Sequence, residues 1–276
     1  MTQTPPPPLT PPPQIHPSAL VAAGAVLGAN VTVGAFAIIE DGATLGDGCE
    51  IAAHAVIKRG AVLGAGVRVD HHAVVGGAPQ DLGFDERVES GVVVGTGTRI
   101  REFATIHRAT RAGGATVIGA NCFLMASSHV AHDCVLGEGV IVANCALVAG
   151  HVRIGARAFI SGGVVIHQRV RIGEGAMTSG NARLGMDVPP YVNALERNRV
   201  AGLNLVGLRR AGFSRAEIAD LKNCYAAVYH TGGANLAANA AAALAAGTAA
   251  TPRGRAFLEF FTSGESVRKQ FVRERE

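Results

Sequence analysis

Aliphatic residues recur at every sixth position through most of this chain, and that period leaves few folds open. Ile15, Val21, Leu27, Val33, Ile39, Leu45, Ile51, Ile57, Leu63, Val69 and Val75 keep the spacing without a miss. A second run goes from Ile118 through Leu124, Val130, Leu136, Val142, Val148, Ile154, Ile160 and Ile166 to Ile172, with Val94, Ile100 and Ile106 between the two. Four places after each aliphatic stands a small residue, as in Ala25, Ala37, Ala43, Cys49 and Ala55, and Gly often follows the aliphatic directly. A period of six matches neither an amphipathic helix nor an alternating strand. It predicts an all-β solenoid, a parallel β-helix in which each hexad supplies a short strand and a turn, with Gly relieving the turn backbone.

Inside the repeat, Ser127 to Cys134 breaks the habit of small, chemically quiet residues: His129, His132 and Asp133 fall together. Histidine exchanges a proton near neutral pH, and an adjacent carboxylate can orient it. The register slips between Val75 and Val94, which stand nineteen residues apart, so residues 76–84 are expected to leave the solenoid as a loop carrying Gln80 and Asp81. A second excursion is expected at residues 111–114. The hexads are expected to end at Leu184, with Pro189 and Pro190 as the boundary. Residues 15–190 thus form the solenoid and residues 191–276 an α-helical domain. In it, Ser214 and Glu217 make a capping box, residues 235–246 are rich in Ala, and residues 255–261 favour a third helix.

Residues 1–14 are Pro-rich, without the basic and apolar regions of a signal peptide, and read as an extended tail. No apolar run is long enough for a membrane span. Five cysteines, Cys49, Cys122, Cys134, Cys145 and Cys224, show no paired metal spacing and read as free thiols of a reducing cytoplasm. Residues 191–276 hold 12 basic and 7 acidic side chains, against 13 and 14 in residues 1–190, so the positive charge sits at the C-terminal end. An acidic partner suits that end. Nucleic acid does not, since aromatics do not interleave the basic residues.

The aliphatic-Gly-x-x-small-x repeat resembles the left-handed β-helix of hexapeptide-repeat acyltransferases, which carry three hexads per coil and assemble as homotrimers. A series of motifs narrows the resemblance to the UDP-N-acetylglucosamine O-acyltransferases that begin lipid A synthesis. The series runs Ile15-His16-Pro17, Gln80-Asp81-Leu82, Ile106-His107-Arg108, His129-Val130-Ala131-His132-Asp133-Cys134, Ala149-Gly150-His151, His167-Gln168 and Asp187-Val188-Pro189-Pro190-Tyr191, then Gly207-Leu208-Arg209-Arg210 leading into Gly212-Phe213-Ser214. With eighteen residues per coil, His132 stacks beneath Gly150 and Gly150 beneath Gln168, while Asp133 lies beneath His151. The resemblance implies transfer of an (R)-3-hydroxyacyl chain from acyl carrier protein to the 3-position of a UDP-sugar, with no cofactor and no metal. By the same resemblance His132 is the general base, Asp133 its orienting partner and the Gly150 N–H the oxyanion donor. Gln80, Asp81, His129, His151, His167 and Gln168 match substrate contacts, Asn204 and Arg210 match nucleotide contacts, and Gly180 matches the position that limits acyl length. His107 reads as a structural neighbour.

Three positions depart from the family pattern: Gly83 where a Lys is usual, Ala211 before Gly212, and Leu195-Glu196-Arg197-Asn198 where Gln-Gly-Asn is usual. All three fall on substrate-binding positions, so a 3-amino sugar nucleotide as acceptor and a non-catalytic binding paralogue stand as alternatives. A zinc site built on His107, His129 and His132 is a third alternative on the same solenoid.

Overall fold

The computed structural model describes residues 12–232, 235–264, 267 and 270–274. The expected tail, residues 1–14, lies for the most part outside them, as does much of the charged segment after Gly264. The solenoid is a left-handed parallel β-helix with three flat faces, each a sheet to which every coil adds one strand. The register is eighteen residues per coil: Gln14 pairs with Thr32, Leu20 with Ile38 and Val26 with Thr44, all parallel. The aliphatic of each hexad and the small residue four places on both point inward and fill the core, as Ile39 and Ala43 or Leu124 and Ser128 show. Cys49, Cys122 and Cys134 occupy the small inward position and are buried.

Glycine relieves the turn as expected where it stands three places after the aliphatic, as at Gly42, Gly48, Gly66 and Gly139, with φ near +70°. The residue that turns left-handed at the corners stands three places after the aliphatic: Phe36, His54, Asp133 and His151 all have φ near +60°. The Gly directly after the aliphatic, Gly76 apart, keeps an ordinary φ and is required by close approach instead. A Cβ on Gly46 would sit 2.7 Å from Ala65 N in the next coil. Stacked corners leave no room there for a side chain.

Two insertions interrupt the coils, near the places where the register slips. Val62 pairs with Val93, thirty-one residues on, and Val93 with Val117, twenty-four on. The first insertion therefore adds thirteen residues and the second six. They form the loops 78–90 and 108–114, and Leu82 at the tip of the first is fully exposed.

The prolines do not end the solenoid. Ile172 bridges to Val188 and Met177 pairs with Asn193, both sixteen residues apart, so a shortened coil runs through Pro189 and Pro190 to the strand Val192–Leu195. Pro190 falls two places after an inward aliphatic, like Gly150, where the backbone N–H is not spent on the neighbouring coil, so the missing donor costs little. Arg199–Leu203 then returns antiparallel. Only after it do the helices begin: α1 (Leu205–Arg210), α2 (Arg215–Tyr229), α3 (Leu236–Ala245) and α4 (Pro252–Thr262). The Ser214–Glu217 capping box is formed. A buried ion pair joins the two parts: Arg171 Nε donates to Asp187 at 2.8 Å, and its other nitrogens reach Ser263 and the Phe260 carbonyl at the end of α4.

One inward position is chemically out of place. Ser128 is buried in the solenoid core, and its Oγ finds no hydrogen-bond partner among the described residues. An unsatisfied buried hydroxyl costs on the order of 1 kcal/mol or more. Ser128→Ala is expected to raise stability in denaturant by about 1 kcal/mol, and an unchanged or lower midpoint would contradict this.

Candidate active site

His132 and Asp133 occupy one corner of the prism, two and three places after the inward Val130. Asp133 is the left-handed residue of that corner, with φ +58°. A short polar side chain tolerates this conformation better than most, at about 1–2 kcal/mol for an L-residue. The same turn carries the carboxylate back toward its neighbour, and Asp133 Oδ2 lies 2.8 Å from His132 Nδ1. Thr110, from the second inserted loop, donates its hydroxyl to the same oxygen at 2.7 Å and its N–H toward both oxygens at 3.3 and 3.2 Å. The Asp133 N–H is itself held by Thr116 Oγ1 at 2.8 Å. Burial alone would raise the Asp133 carboxyl, but hydrogen bonds from His132 and Thr110 outweigh it and hold the group below its ordinary value. It is therefore an anion at neutral pH.

An ionised carboxylate only accepts hydrogen bonds, so His132 Nδ1 carries a proton toward Asp133, and in the neutral ring Nε2 presents a lone pair. The ring is 8% exposed and lies directly over Gly150: a Cβ built on that residue would stand 2.5 Å from His132 Cε1 and 2.6 Å from Nε2. The stacking is fixed by the next coil, in which the His151 N–H donates to the His132 carbonyl at 2.9 Å. The Gly150 N–H has no partner among the described residues. A free base nitrogen and an unspent backbone donor thus share one small area.

Three more imidazoles surround this centre. His151 sets its ring edge-on to His132 with centroids 5.1 Å apart, and its Nε2 is 3.8 Å from Asp133, too far for a hydrogen bond. His129 hydrogen-bonds Thr105 at 2.8 Å and meets the His107 ring edge-on at 4.6 Å. Desolvation lowers all three, most strongly His107, which burial and the neighbouring His129 and His132 push down to about 4. All three stay neutral at pH 7, so they add no positive charge beside His132.

The other expected site residues divide. His167 and Gln168 are exposed on the coil above Gly150, at the register expected. Gln80 and Asp81 lie on the long loop, Gln80 exposed and Asp81 holding the Gly83 N–H at 2.9 Å, so the structure does not bring them to His132 within this chain. The cavity beneath that loop, of about 800 Å³, is lined by Lys58, Arg59, Arg87 and Arg108 and touches none of the histidines. Gly180 is exposed in the ladder Asn144, Gly162, Gly180, with Asn181 N–H on the Gly162 carbonyl. Arg210 is exposed in the last turn of α1. Asn204 is the N-cap of that helix: its Oδ1 accepts from the Gly207 N–H at 3.0 Å and its Nδ2 donates to the Gly175 carbonyl. That side chain caps the helix from inside the fold, where it is buried. The proposed zinc triad does not gather. Among the described residues, the donor atoms that converge, within 4.8 Å, belong to His132, Asp133 and His151. Thr105, Thr110 and Thr116 escaped the sequence reading, although the twenty-four-residue spacing from Thr105 to His129 marks a stacked pair once the second insertion is counted as six.

Known proteins resemble this chain in sequence and fold. A family model described as UDP N-acetylglucosamine O-acyltransferase, domain 2, matches residues 187–269, and a bacterial transferase hexapeptide model matches residues 24–59 and 115–150. A UDP-N-acetylglucosamine acyltransferase from Campylobacter jejuni superimposes with a TM-score of 0.87 at 35% identity, over 95% of this chain and 100% of that one. The enzyme of the same name from Bacteroides fragilis gives 0.86 at 36%, over 94% and 99%. An acyl-[acyl-carrier-protein]--UDP-N-acetylglucosamine O-acyltransferase from Campylobacter concisus is 40% identical over 161 residues, a match that spans 57% of this chain and 61% of that protein.

Proposed function

This chain belongs to the UDP-N-acetylglucosamine O-acyltransferase family, and from that premise we propose that it transfers an (R)-3-hydroxyacyl chain from acyl carrier protein to the 3-hydroxyl of UDP-N-acetylglucosamine, the opening step of lipid A synthesis. The observation that carries the reading is the His132 ring, locked by Asp133 and laid over side-chain-free Gly150. A sugar hydroxyl is a weak nucleophile until a base takes its proton during attack. His132 Nε2 takes it as the sugar oxygen bonds to the thioester carbonyl carbon. The carbonyl oxygen becomes an oxyanion, and the Gly150 N–H donates to it. Collapse breaks the carbon–sulfur bond, and His132 returns its proton to the departing thiolate. Asp133 holds the imidazolium throughout. The neutral His129 and His151 can hydrogen-bond substrate without adding charge.

The substrates need more surface than one chain offers. Gln80 and Asp81 sit on the long loop with no hydrogen bond to the histidines among the described residues, which suits a homotrimer in which each loop reaches a sugar held by its neighbour. The basic helical end, with Arg209, Arg210 and Arg215 exposed, suits an acidic carrier protein in the cytoplasm. No helix among the described residues is long and apolar enough to cross a membrane.

Acyl length has its own candidate. Gly180 does not take the left-handed conformation, and a Cβ there would meet only the Gly162 carbonyl, at 3.6 Å. The turn therefore does not require glycine, and the position is free to act as a ruler beside the exposed Met177. Gly180→Met is expected to shift preference toward shorter donors by roughly 0.8 kcal/mol per methylene no longer buried, while turnover of short donors survives. An unchanged chain preference would place the channel's end elsewhere.

The test of the whole reading is an assay of purified protein with a ladder of 3-hydroxyacyl carrier proteins and both 3-hydroxyl and 3-amino UDP-sugars. Transfer to the hydroxyl sugar supports it. Transfer to the amino sugar alone changes the acceptor, and binding of both substrates without turnover would sink it.

A further inference from the structure

The second insertion, residues 108–114, departs from the hexads by six residues and has no part in the reaction as described. It nevertheless ends at the catalytic dyad. We propose that Thr110 is a positioning residue, which acts through Asp133 to fix the His132 ring and the nitrogen on which its proton sits. This inference rests on the function proposed above.

Asp133 Oδ2 accepts two bonds at once, from Thr110 Oγ1 at 2.7 Å and from His132 Nδ1 at 2.8 Å. The Thr110 N–H adds a donor that straddles both oxygens. Thr116 holds only the Asp133 backbone, so Thr110 is the protein group besides His132 that sets the carboxylate's rotation. Without it the carboxylate is free to turn toward His151 Nε2, 3.8 Å away. His132 would then lose the acceptor that keeps its proton on Nδ1.

Thr110 is itself firmly placed. The neighbouring Ala109 N–H donates to the Gly91 carbonyl at 3.3 Å, and Ser90 Oγ donates to the Ala109 carbonyl. Arg108 donates to the Val88 and Glu86 carbonyls and lies over the Phe84 ring at 4.8 Å. Residues 108–110 therefore strap the long loop to the solenoid on one side and hold the dyad on the other. An insertion that only bulged outward would need none of these bonds.

The experiment compares Thr110→Val, which removes the hydroxyl at nearly constant volume, with Thr110→Ser, which keeps it. In the assay above, Thr110→Val is expected to lower kcat at least tenfold with KM for both substrates within twofold. Thr110→Ser is expected to stay within threefold of the parent. In an Asp133→Asn background the Val substitution should add nothing, because its route to His132 is already broken. Nitrogen-15 NMR of the His132 ring, which needs no turnover, should show the Nδ1–H tautomer depleted in Thr110→Val and retained in Thr110→Ser. Parental kcat and tautomer in Thr110→Val, or a further loss in the Asp133→Asn background, would overturn the proposal. An inactive parent whose tautomer still follows Thr110 would keep this inference and sink the acyltransfer reading instead.

Discussion

His132→Ala is expected to reduce kcat by about 10²–10⁴, the usual contribution of a positioned general base, while fold and assembly persist. The ring sits at a corner of the prism and outside the aliphatic core, so its removal breaks one side-chain hydrogen bond worth about 1 kcal/mol. Asp133 keeps both donors from Thr110 and is not left as an unpaired buried charge. The melting temperature should therefore move by a few degrees at most, roughly the shift that 1 kcal/mol produces in a domain of this size. The two readouts are needed together. A large loss of turnover with a collapsed melt would report only damage. More than a tenth of parental turnover in a well-folded variant would mean that His132 is not the base, and His129 would be the next to test.

Most of this arrangement was legible in the sequence for one physical reason. A coil of fixed length turns sequence spacing into spatial stacking, so the period that predicts the fold also predicts which residues meet. His132 over Gly150 and Asp133 beside His151 follow from the number eighteen alone. The rule fails where the chain leaves the coil. Thr110 lies twenty-three residues from Asp133, a spacing that looks unremarkable until the six-residue insertion is subtracted. Gln80 and Asp81 carry a motif but not a place, because a thirteen-residue loop has no register to fix it.

Local signals mislead where two physical causes share one residue type. Glycine directly after an aliphatic reads as a turn residue, whereas its cause at Gly46 and Gly137 is contact between stacked corners, and the turn glycines stand two places further on. Paired prolines suggest a boundary, but a coil passes through Val188 to Ala194, and the position that Pro190 takes spends no N–H on the neighbouring coil. Asn204 matches a nucleotide contact by motif, and it also begins a helix, a use of its side chain that the motif does not reveal.

Gly150→Ala is expected to cost about as much activity as a misplaced base, on the order of 10² in kcat. The backbone there has an ordinary φ, so alanine brings no turn strain of its own. Its N–H remains, so the proposed oxyanion donor is not deleted. What changes is space: the new methyl would stand 2.5 Å from His132 Cε1 and 3.1 Å from Nδ1, well inside contact distance. The ring cannot yield without breaking its 2.8 Å bond to Asp133, and Thr110 prevents Asp133 from following. Overpacking of this kind costs roughly 1–3 kcal/mol in stability. Combining the substitution with His132→Ala separates the two effects. Once the ring is gone the methyl has room, so the stability loss should disappear, and the double variant should be no less active than His132→Ala alone. A Gly150→Ala enzyme with parental kcat would mean that the ring does not lie over Gly150 during the reaction. Equal destabilisation with and without the imidazole would place the clash in the backbone.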